Sequence, residues 1–255
     1  MPDLKVTLIQ ADLAWEDIDA NLAAFEKRIG DLSDETHLIV LPEMFTTGFS
    51  MNPAALAEDM QGRTVAWLRK MARRKGAAVV GGAMIREGER YVNRLLWASP
   101  DGRLQWYDKR HLIGIAGEDR AYSPGWEKLT VSVQGWRICP FICYDLRFPI
   151  WLRNLERPPY DLALFIANWP AVRAHHWRTL LLARAIENQC FVVGVNRVGT
   201  DGNGHDYCGD SAVIDPLGNI LFQKKDAPAV HTATLPHGVL EEWRRTFPVL
   251  EDADR

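Results

Sequence analysis

Short apolar segments alternate with longer amphipathic segments from one end of the chain to the other. The short segments are rich in β-branched and aromatic residues and are bounded by turn residues, which is typical of buried strands. The pattern predicts strands over Leu4–Gln10, His37–Leu41, Ala77–Met84, Leu95–Ser99, Arg103–Tyr107, Leu129–Val133, Arg137–Cys143, Leu162–Ala167, Phe191–Asn196, Gly209–Asp215, Ile220–Gln223 and Ala229–Leu235.

The longer segments repeat their apolar residues at helical spacing. In the first of them, Ile18, Leu22, Phe25 and Ile29 follow one another at intervals of three or four residues, and Gly30 ends the pattern. The same reasoning predicts helices over Asp17–Gly30, Thr64–Lys75, Phe148–Arg157, Ala174–Asn188 and Val239–Arg245.

These elements predict one α/β domain that spans residues 1–255, because no linker, low-complexity tract or short repeat divides the chain. Strands far outnumber helices, whereas a TIM barrel alternates them one to one. Two sheets packed face to face, with helices on the outer faces, accommodate this ratio better.

Composition narrows the class of function. The chain has 255 residues, 47% hydrophobic and 25% charged, with a formal net charge of −3. Basic residues are scattered, so we expect no nucleic acid or anionic membrane partner. No apolar run approaches the roughly 18 residues of a membrane span. The first residues enter a strand pattern without the features of a signal peptide.

The cysteines indicate a reducing compartment. Cys139, Cys143, Cys190 and Cys208 lie in apolar or strand-like segments and lack the spacing of a disulfide scaffold. We therefore expect free thiols and a cytoplasmic protein.

Three reactive residues share one kind of position, the end of a predicted strand. Glu43 follows a buried run that ends at Pro42, Lys109 follows the strand that ends at Tyr107, and Cys143 ends its own strand. Ligands of open α/β sheets bind in the crevice beyond the carboxyl ends of the strands. The three residues are therefore candidates for one site.

Their chemistry is complementary. A thiol is mostly protonated at neutral pH and needs a base, which a buried carboxylate can provide. A lysine ammonium or the backbone N–H of Tyr144 can stabilise an oxyanion. The alternatives are that Cys143 is a small buried hydrophobic residue and that Glu43 and Lys109 form a structural ion pair.

The segments around these residues resemble the three catalytic motifs of the nitrilase, or carbon–nitrogen hydrolase, superfamily. They read Pro-Glu-Met-Phe-Thr-Thr-Gly-Phe (42–49), Asp-Lys-Arg-His-Leu (108–112) and Ile-Cys-Tyr-Asp-Leu-Arg-Phe-Pro (142–149). Their order and intervals also match, and the resemblance extends from Leu4 to about Pro248. It implies a four-layer α-β-β-α sandwich, usually paired into a homodimer.

The resemblance also implies roles. Glu43 is the general base, Cys143 is the nucleophile that forms a thioester, and Lys109 with the Tyr144 N–H stabilises the oxyanion. Glu118 lies five residues before Ser-Pro, the position of the family's second glutamate, and so is expected to orient Lys109 or the attacking water. Asp119 is the competing candidate for that role.

No cofactor is implied. The residues offer no convincing metal ligand set, because neither Cys139 with Cys143 nor the adjacent His175 and His176 has the required spacing. The histidines are expected to be structural or surface residues.

The segment from Asn168 to Arg173 follows a strand and is expected to line the same crevice. It resembles the bacterial omega-amidase branch, which acts on dicarboxylic acid monoamides such as 2-oxoglutaramate. Such a substrate keeps a free carboxylate, for which arginine is a natural partner. Arg173 is the first candidate and Arg197 the second; alternatively, Arg173 is a solvated loop residue.

Aromatic residues near the motifs are candidates for an apolar wall that favours a small substrate, with core packing as the alternative. They are Phe45, Phe49, Tyr122 and Trp169. Asp145 and Arg147 are expected to brace the nucleophile turn. Where the family often has Glu after Arg-Phe-Pro, Ile150 stands here, which predicts packing in place of a charged contact.

The residues leave other functions open. A nitrilase and an N-carbamoyl amino acid hydrolase use the same triad, and a non-catalytic binding or scaffold protein could share the fold.

Overall fold

The computed structural model describes residues 1–253 and contains the following strands. They are β1 (Leu4–Gln10), β2 (Leu38–Val40), β3 (Ala78–Glu87), β4 (Arg90–Ala98), β5 (Leu104–Asp108), β6 (Val131–Val133), β7 (Trp136–Ile142), β8 (Leu162–Ile166), β9 (Phe191–Val195), β10 (Val198–Thr200), β11 (Asp206–Ile214), β12 (Ile220–Lys225) and β13 (Ala229–Leu235).

The helices differ widely in length. They are α1 (Ile18–Gly30), α2 (Pro53–Leu56), α3 (Arg63–Lys75), α4 (Glu118–Ala121), α5 (Pro149–Leu152), α6 (Ala174–Asn188) and α7 (His237–Thr246). Short 3₁₀ turns cover Gly114–Ala116, Cys143–Arg147, Ala171–Arg173 and Val249–Glu251.

The strands form two mixed sheets. The first has the order β13-β1-β2-β3-β4-β5 and the second β10-β11-β9-β8-β7-β6, with β12 paired to β11. Strands β1, β2 and β3 are parallel, as are β7, β8 and β9. Each sheet therefore has a parallel centre, and the loops at its carboxyl ends carry Glu43 after β2 and Cys143 after β7, whereas Lys109 follows the edge strand β5.

The inner core lies between the sheets, where residues such as Leu8 and Leu95 of the first sheet meet Phe141 and Ile166 of the second. Outside the first sheet, α1 and α3 contribute Phe25 and Met71 to a separate apolar cluster. Outside the second sheet, α6 packs through Trp177 and Leu181. The four-layer α-β-β-α sandwich expected from the sequence is confirmed.

Every predicted strand and four of the five predicted helices have a counterpart, although β4 begins five residues before the predicted strand Leu95–Ser99. The helix predicted over Phe148–Arg157 is wrong, because only Pro149–Leu152 is helical. Asn154 explains its end: its side chain binds the backbone of Tyr160, and its own N–H donates to Asn188 Oδ1 at 3.0 Å. An amide side chain that competes in this way for backbone partners favours a loop over a helix.

Two further details differ from the sequence expectations. Ile150 is 89% exposed, so it does not replace the family's charged contact by packing. Strand β10, only three residues long, was not predicted. Within residues 1–253, no helix is both long enough and apolar enough to cross a bilayer.

Candidate active site

The two sheets bring the predicted reactive residues together. Glu43 lies three residues after β2, and Lys109 directly follows β5 of the same sheet. Cys143 directly follows β7 of the second sheet, and Glu118 begins α4. All four side chains are at most 2% exposed. The cluster is therefore a buried group that straddles the interface between the sheets.

The backbone of the nucleophile turn is held in an unusual conformation. Cys143 has a φ of 43°, in the left-handed region that non-glycine residues rarely occupy. Asp145 supports the turn, because its carboxylate accepts hydrogen bonds from the Ile142 N–H at 3.1 Å and the Tyr107 hydroxyl at 2.7 Å. It also accepts one from the His111 N–H at 3.0 Å. Such strain persists only where the surroundings over-determine it, often at functional sites.

Lys109 is held between two carboxylates. Its Nζ donates to Glu43 Oε1 at 2.9 Å and to Glu118 Oε1 and Oε2 at 2.8 and 3.0 Å. Burial alone would lower the pKa of Lys109, but the negative charges of Glu118 and Glu43 outweigh it and raise that pKa. Lys109 is thus a fixed positive charge at neutral pH, suited to stabilising an anion.

Three hydrogen-bond donors contact the carboxylate of Glu43. Oε1 accepts from Lys109 and from Asn93 Nδ2 at 2.7 Å, and Oε2 accepts from the backbone N–H of Asn168 at 2.8 Å. A carboxylate has about four lone-pair sites, two on each oxygen. One site on Oε2 is therefore left to accept a proton.

The thiol requires such a base. Burial raises the pKa of Cys143 well above its usual value, the charge of Glu43 raises it further, and Lys109 opposes both. Cys143 is therefore a neutral thiol at rest, and its Sγ lies 3.9 Å from the backbone oxygen of Asn168. Its reactivity depends on transfer of the proton during attack.

Glu118 contacts Lys109, whereas Asp119 is exposed on the surface. Burial raises the pKa of Glu118, Lys109 lowers it, and the charge of Glu43 raises it. Glu118 Oε2 also accepts a hydrogen bond from the Ile113 N–H at 2.8 Å. This position suits the orientation of Lys109, the role expected of Glu118.

Two adjacent cavities connect the thiol with the surface. The smaller, of about 250 Å³, is lined by Cys143, Tyr144, Arg147 and Trp169. The larger, of about 680 Å³, shares residues with it, among them Asn168 and Arg173. Its lining combines polar residues such as Glu16 and Asn203 with aromatic residues such as Phe49 and Tyr207.

The two candidate arginines differ in their partners. The Arg173 guanidinium lines both cavities and is half-buried. Among residues 1–253 it forms neither a salt bridge nor a side-chain hydrogen bond. Arg197 is fully buried and bound to Asp12 Oδ1 at 2.7 Å, and it lies over the Tyr207 ring at 4.7 Å. Arg173 is thus free to bind a ligand, and Arg197 is already committed.

The proposed apolar wall is only partly present. Trp169 lines the smaller cavity and Phe49 the larger. Phe45 instead packs against Phe25 and Trp67 at ring distances of 5.4 and 5.6 Å, in the core outside the first sheet. Its assignment to substrate binding is corrected, since it lines neither cavity.

Tyr122 is also corrected. It is buried with Met44 and Met84, and its hydroxyl donates to the Ser50 backbone oxygen at 2.7 Å. It lines neither cavity, so core packing accounts for it.

Sequence reasoning missed Asn93, which donates to both Glu43 and Glu118. A signal was present: Asn93 alternates with Leu95 and Trp97, which face the inner core, so its amide had to point between the sheets. Asn168 was expected to line the crevice, but its backbone contact with Glu43 was not predicted.

No three His, Cys, Asp or Glu side chains of residues 1–253 are grouped as a metal site would require.

Comparison with known proteins adds independent findings. The family model described as carbon–nitrogen hydrolase matches residues 5–245. The chain is 47% identical to the omega-amidase YafV of Yersinia enterocolitica, with 100% of this chain and 98% of that protein covered. It is 31% identical to the 2-oxoglutaramate amidase of Bacillus subtilis, over 97% of this chain and 96% of that protein.

A solved structure agrees closely with the fold. A CN-hydrolase superfamily protein from Xanthomonas campestris, described with an arsenic adduct in its active site, superimposes with a TM-score of 0.98 at 48% identity. The match covers 100% of this chain and 98% of that one.

Proposed function

This chain belongs to the carbon–nitrogen hydrolase family, and we propose that it is an omega-amidase that converts a small dicarboxylic acid monoamide, such as 2-oxoglutaramate, to the dicarboxylate and ammonia. The observation that carries the proposal is the buried cluster of Cys143, Glu43, Lys109 and Glu118 at the end of a cavity that Arg173 also lines, with no side-chain partner for Arg173 among residues 1–253. The names of the YafV and Bacillus subtilis relatives support the same substrate class.

The first step is attack of Cys143 Sγ on the amide carbon. Its proton passes to the free lone pair of Glu43 Oε2, and a C–S bond forms while the carbonyl π electrons move to oxygen. The positive charge of Lys109 and the hydrogen bond donated by the Tyr144 N–H stabilise that oxyanion. Positioned donors in a site without water stabilise such a charge far more than they would in solution.

The second step releases ammonia. Glu43 returns the proton to the amide nitrogen, the C–N bond breaks, and the thioester remains on Cys143. Water then attacks the thioester carbon with Glu43 again as the base, the C–S bond breaks, and the thiol takes back a proton. Glu118 keeps Lys109 in place throughout, because it binds the same ammonium through both oxygens.

The second carboxyl group of the substrate selects among the reactions that this triad supports. A guanidinium binds a carboxylate with charge-assisted hydrogen bonds. At a half-exposed site such contacts contribute about 1.5 to 2 kcal/mol. Arg173→Ala should therefore raise KM for 2-oxoglutaramate roughly ten- to thirtyfold.

The test is ammonia release from 2-oxoglutaramate, an uncharged short amide, a nitrile and an N-carbamoyl amino acid. We expect 2-oxoglutaramate to be the best substrate and Arg173→Ala to leave KM for the uncharged amide unchanged. Arg103→Ala, which removes an exposed arginine paired with Asp101, is the matched control. Equal effects on charged and uncharged amides would exclude the role of Arg173, and a preferred nitrile or carbamoyl substrate would replace the proposed function.

A further inference from the structure

Asn93 of β4 connects the two carboxylates of the site. Its Nδ2 donates to Glu43 Oε1 at 2.7 Å and to Glu118 Oε1 at 3.0 Å. The side chain is fully buried, and within residues 1–253 its Oδ1 has no partner. The orientation of the amide is therefore fixed, because the reverse orientation would place Oδ1 against two negatively charged groups.

The donors around the carboxylates are distributed unequally. Glu118 receives four hydrogen bonds, two from Lys109, one from Asn93 and one from the Ile113 N–H. These occupy about all the lone-pair sites that a carboxylate has. Glu43 receives three and keeps one site on Oε2.

We propose that Asn93 is a positioning residue that directs the proton of Cys143 to Glu43, by filling the last acceptor site of Glu118 and orienting Oε1 of Glu43 away from the thiol. This rests on the proposed function only in taking Cys143 as the nucleophile. Without the Asn93 amide, the two carboxylates share only the ammonium of Lys109. One of them then takes up a proton more readily, because a buried pair of like charges disfavours double ionisation.

Electrostatics support this role. Burial raises the pKa of Glu118, and the hydrogen bond from Asn93 is one of the contacts that lower it. Three other titratable groups face the pair, namely Lys109, Cys143 and Tyr122. The pKa of each is raised, so none of them loses its proton near neutral pH. A fall in the reactivity of Cys143 at low pH, the acid limb of its pH profile, therefore reports protonation of the carboxylate pair.

The side chain of Asn93 can be tested separately from its backbone. The Asn93 carbonyl oxygen accepts the hydrogen bond of the Lys109 N–H at 2.9 Å, and substitution of the side chain leaves this contact in place. Asn93→Ala removes both donors. Asn93→Ser keeps one hydroxyl hydrogen, which can serve only one carboxylate at a time.

The experiment measures the rate of Cys143 alkylation by iodoacetamide between pH 4 and 9 (roughly the range that spans both carboxylates and the thiol), with Cys143→Ala as background. We expect the acid limb of Asn93→Ala to move up by about one pH unit, the effect of losing a hydrogen bond to a charged group. Asn93→Ser should shift by less, and kcat for 2-oxoglutaramate should fall while KM changes little.

Asn154→Ala is the matched control. Asn154 is equally buried, and its Nδ2 also donates two hydrogen bonds, to the backbone oxygens of Tyr160 and Asn188. Its loss should lower Tm and leave the acid limb where it is.

An acid limb unchanged in Asn93→Ala would overturn the proposal. If that variant does not fold, an unchanged limb in Asn93→Ser decides against it in the same way. The alkylation needs no substrate, so a wild-type protein that releases no ammonia from any ω-amide refutes the proposed function and leaves this measurement valid.

Discussion

Replacing Glu118 by Gln should show how this buried carboxylate contributes to activity and to stability. The substitution keeps the shape of the side chain and removes one negative charge from a fully buried group. Lys109 then loses a charged partner that it contacts at 2.8 and 3.0 Å. The NH2 group of Gln also takes the place of one carboxylate oxygen, so either the Asn93 amide or the Ile113 N–H loses its acceptor.

The magnitude follows from these contacts. A hydrogen bond between charged groups contributes about 1.5 to 3 kcal/mol. If the loss is expressed in the transition state, where Lys109 must meet the oxyanion, kcat falls roughly ten- to a hundredfold. KM for the ω-amide should change little, because Glu118 lines neither cavity.

Glu118 makes two opposing contributions to stability. Burial and the charge of Glu43 raise the pKa of Glu118 in the folded protein, although Lys109 opposes this shift. A carboxyl group whose pKa is raised by folding stabilises the protein below its unfolded pKa, and that contribution is lost as the pH rises through the folded value. Glu118→Gln removes this pH-dependent contribution, but it also deprives the buried ammonium of Lys109 of one of its two charged partners and leaves one buried donor without an acceptor. Its Tm at neutral pH should therefore be lower than that of the wild type.

The assay pairs ammonia release at saturating 2-oxoglutaramate with thermal unfolding between pH 5 and 8, the usual range of maximal stability. We expect lower kcat and a flatter dependence of Tm on pH. Wild-type kcat in Glu118→Gln would refute the view that Glu118 orients Lys109. A Tm equal to that of the wild type would refute the view that the contact between Glu118 and Lys109 stabilises the fold.

Two other substitutions test the remaining parts of the site and its assembly. Cys143→Ala should abolish ammonia release and the covalent acyl adduct that intact-mass measurement should detect in the wild type, with Tm nearly unchanged. Cys208→Ala should keep both the activity and the adduct. Activity in Cys143→Ala would contradict the thioester route. For the homodimer expected from the family resemblance, we propose an interface that includes the side chain of Ile150, which is 89% exposed. Ile150→Lys should then shift the mass measured by light scattering toward that of a monomer, and an unchanged mass would place the interface elsewhere.

Regular elements could be predicted because their sequence carries a period. β1, α6 and β13 have the bounds that the apolar pattern predicted, and the positions after β2, β5 and β7 were expected to converge. The strand predicted over Leu95–Ser99 begins two residues after Asn93, because the polar residues Arg90, Asn93 and Arg94 hide the start of β4. The side-chain direction of Asn93 was therefore not predicted.

The loops could not be predicted in the same way. Met44 has a φ of 42°, and the chain turns there between Glu43, which faces the inner site, and Phe45, which faces the outer core. No periodicity gives the direction of a side chain after such a turn, so the sequence wrongly predicts that Phe45 lines the substrate site. The end of α5 at Leu152 depends on contacts of Asn154 with Tyr160 and Asn188. Asn188 is 34 residues away in the sequence, so local helix propensity does not include its effect.

The pairing of β13 with β1 has a consequence for synthesis of the chain. These strands join Leu4 to Leu235 and Gln10 to Ala229, so the last strand binds the first across almost the whole sequence. Closing so long a loop costs conformational entropy, and long-range strand pairings form slowly. During translation, one edge of β1 therefore has no native partner until nearly all of the protein has left the ribosome. Unpaired strand edges are templates for pairing with other chains, so β1 needs protection in the nascent protein until β13 has been made.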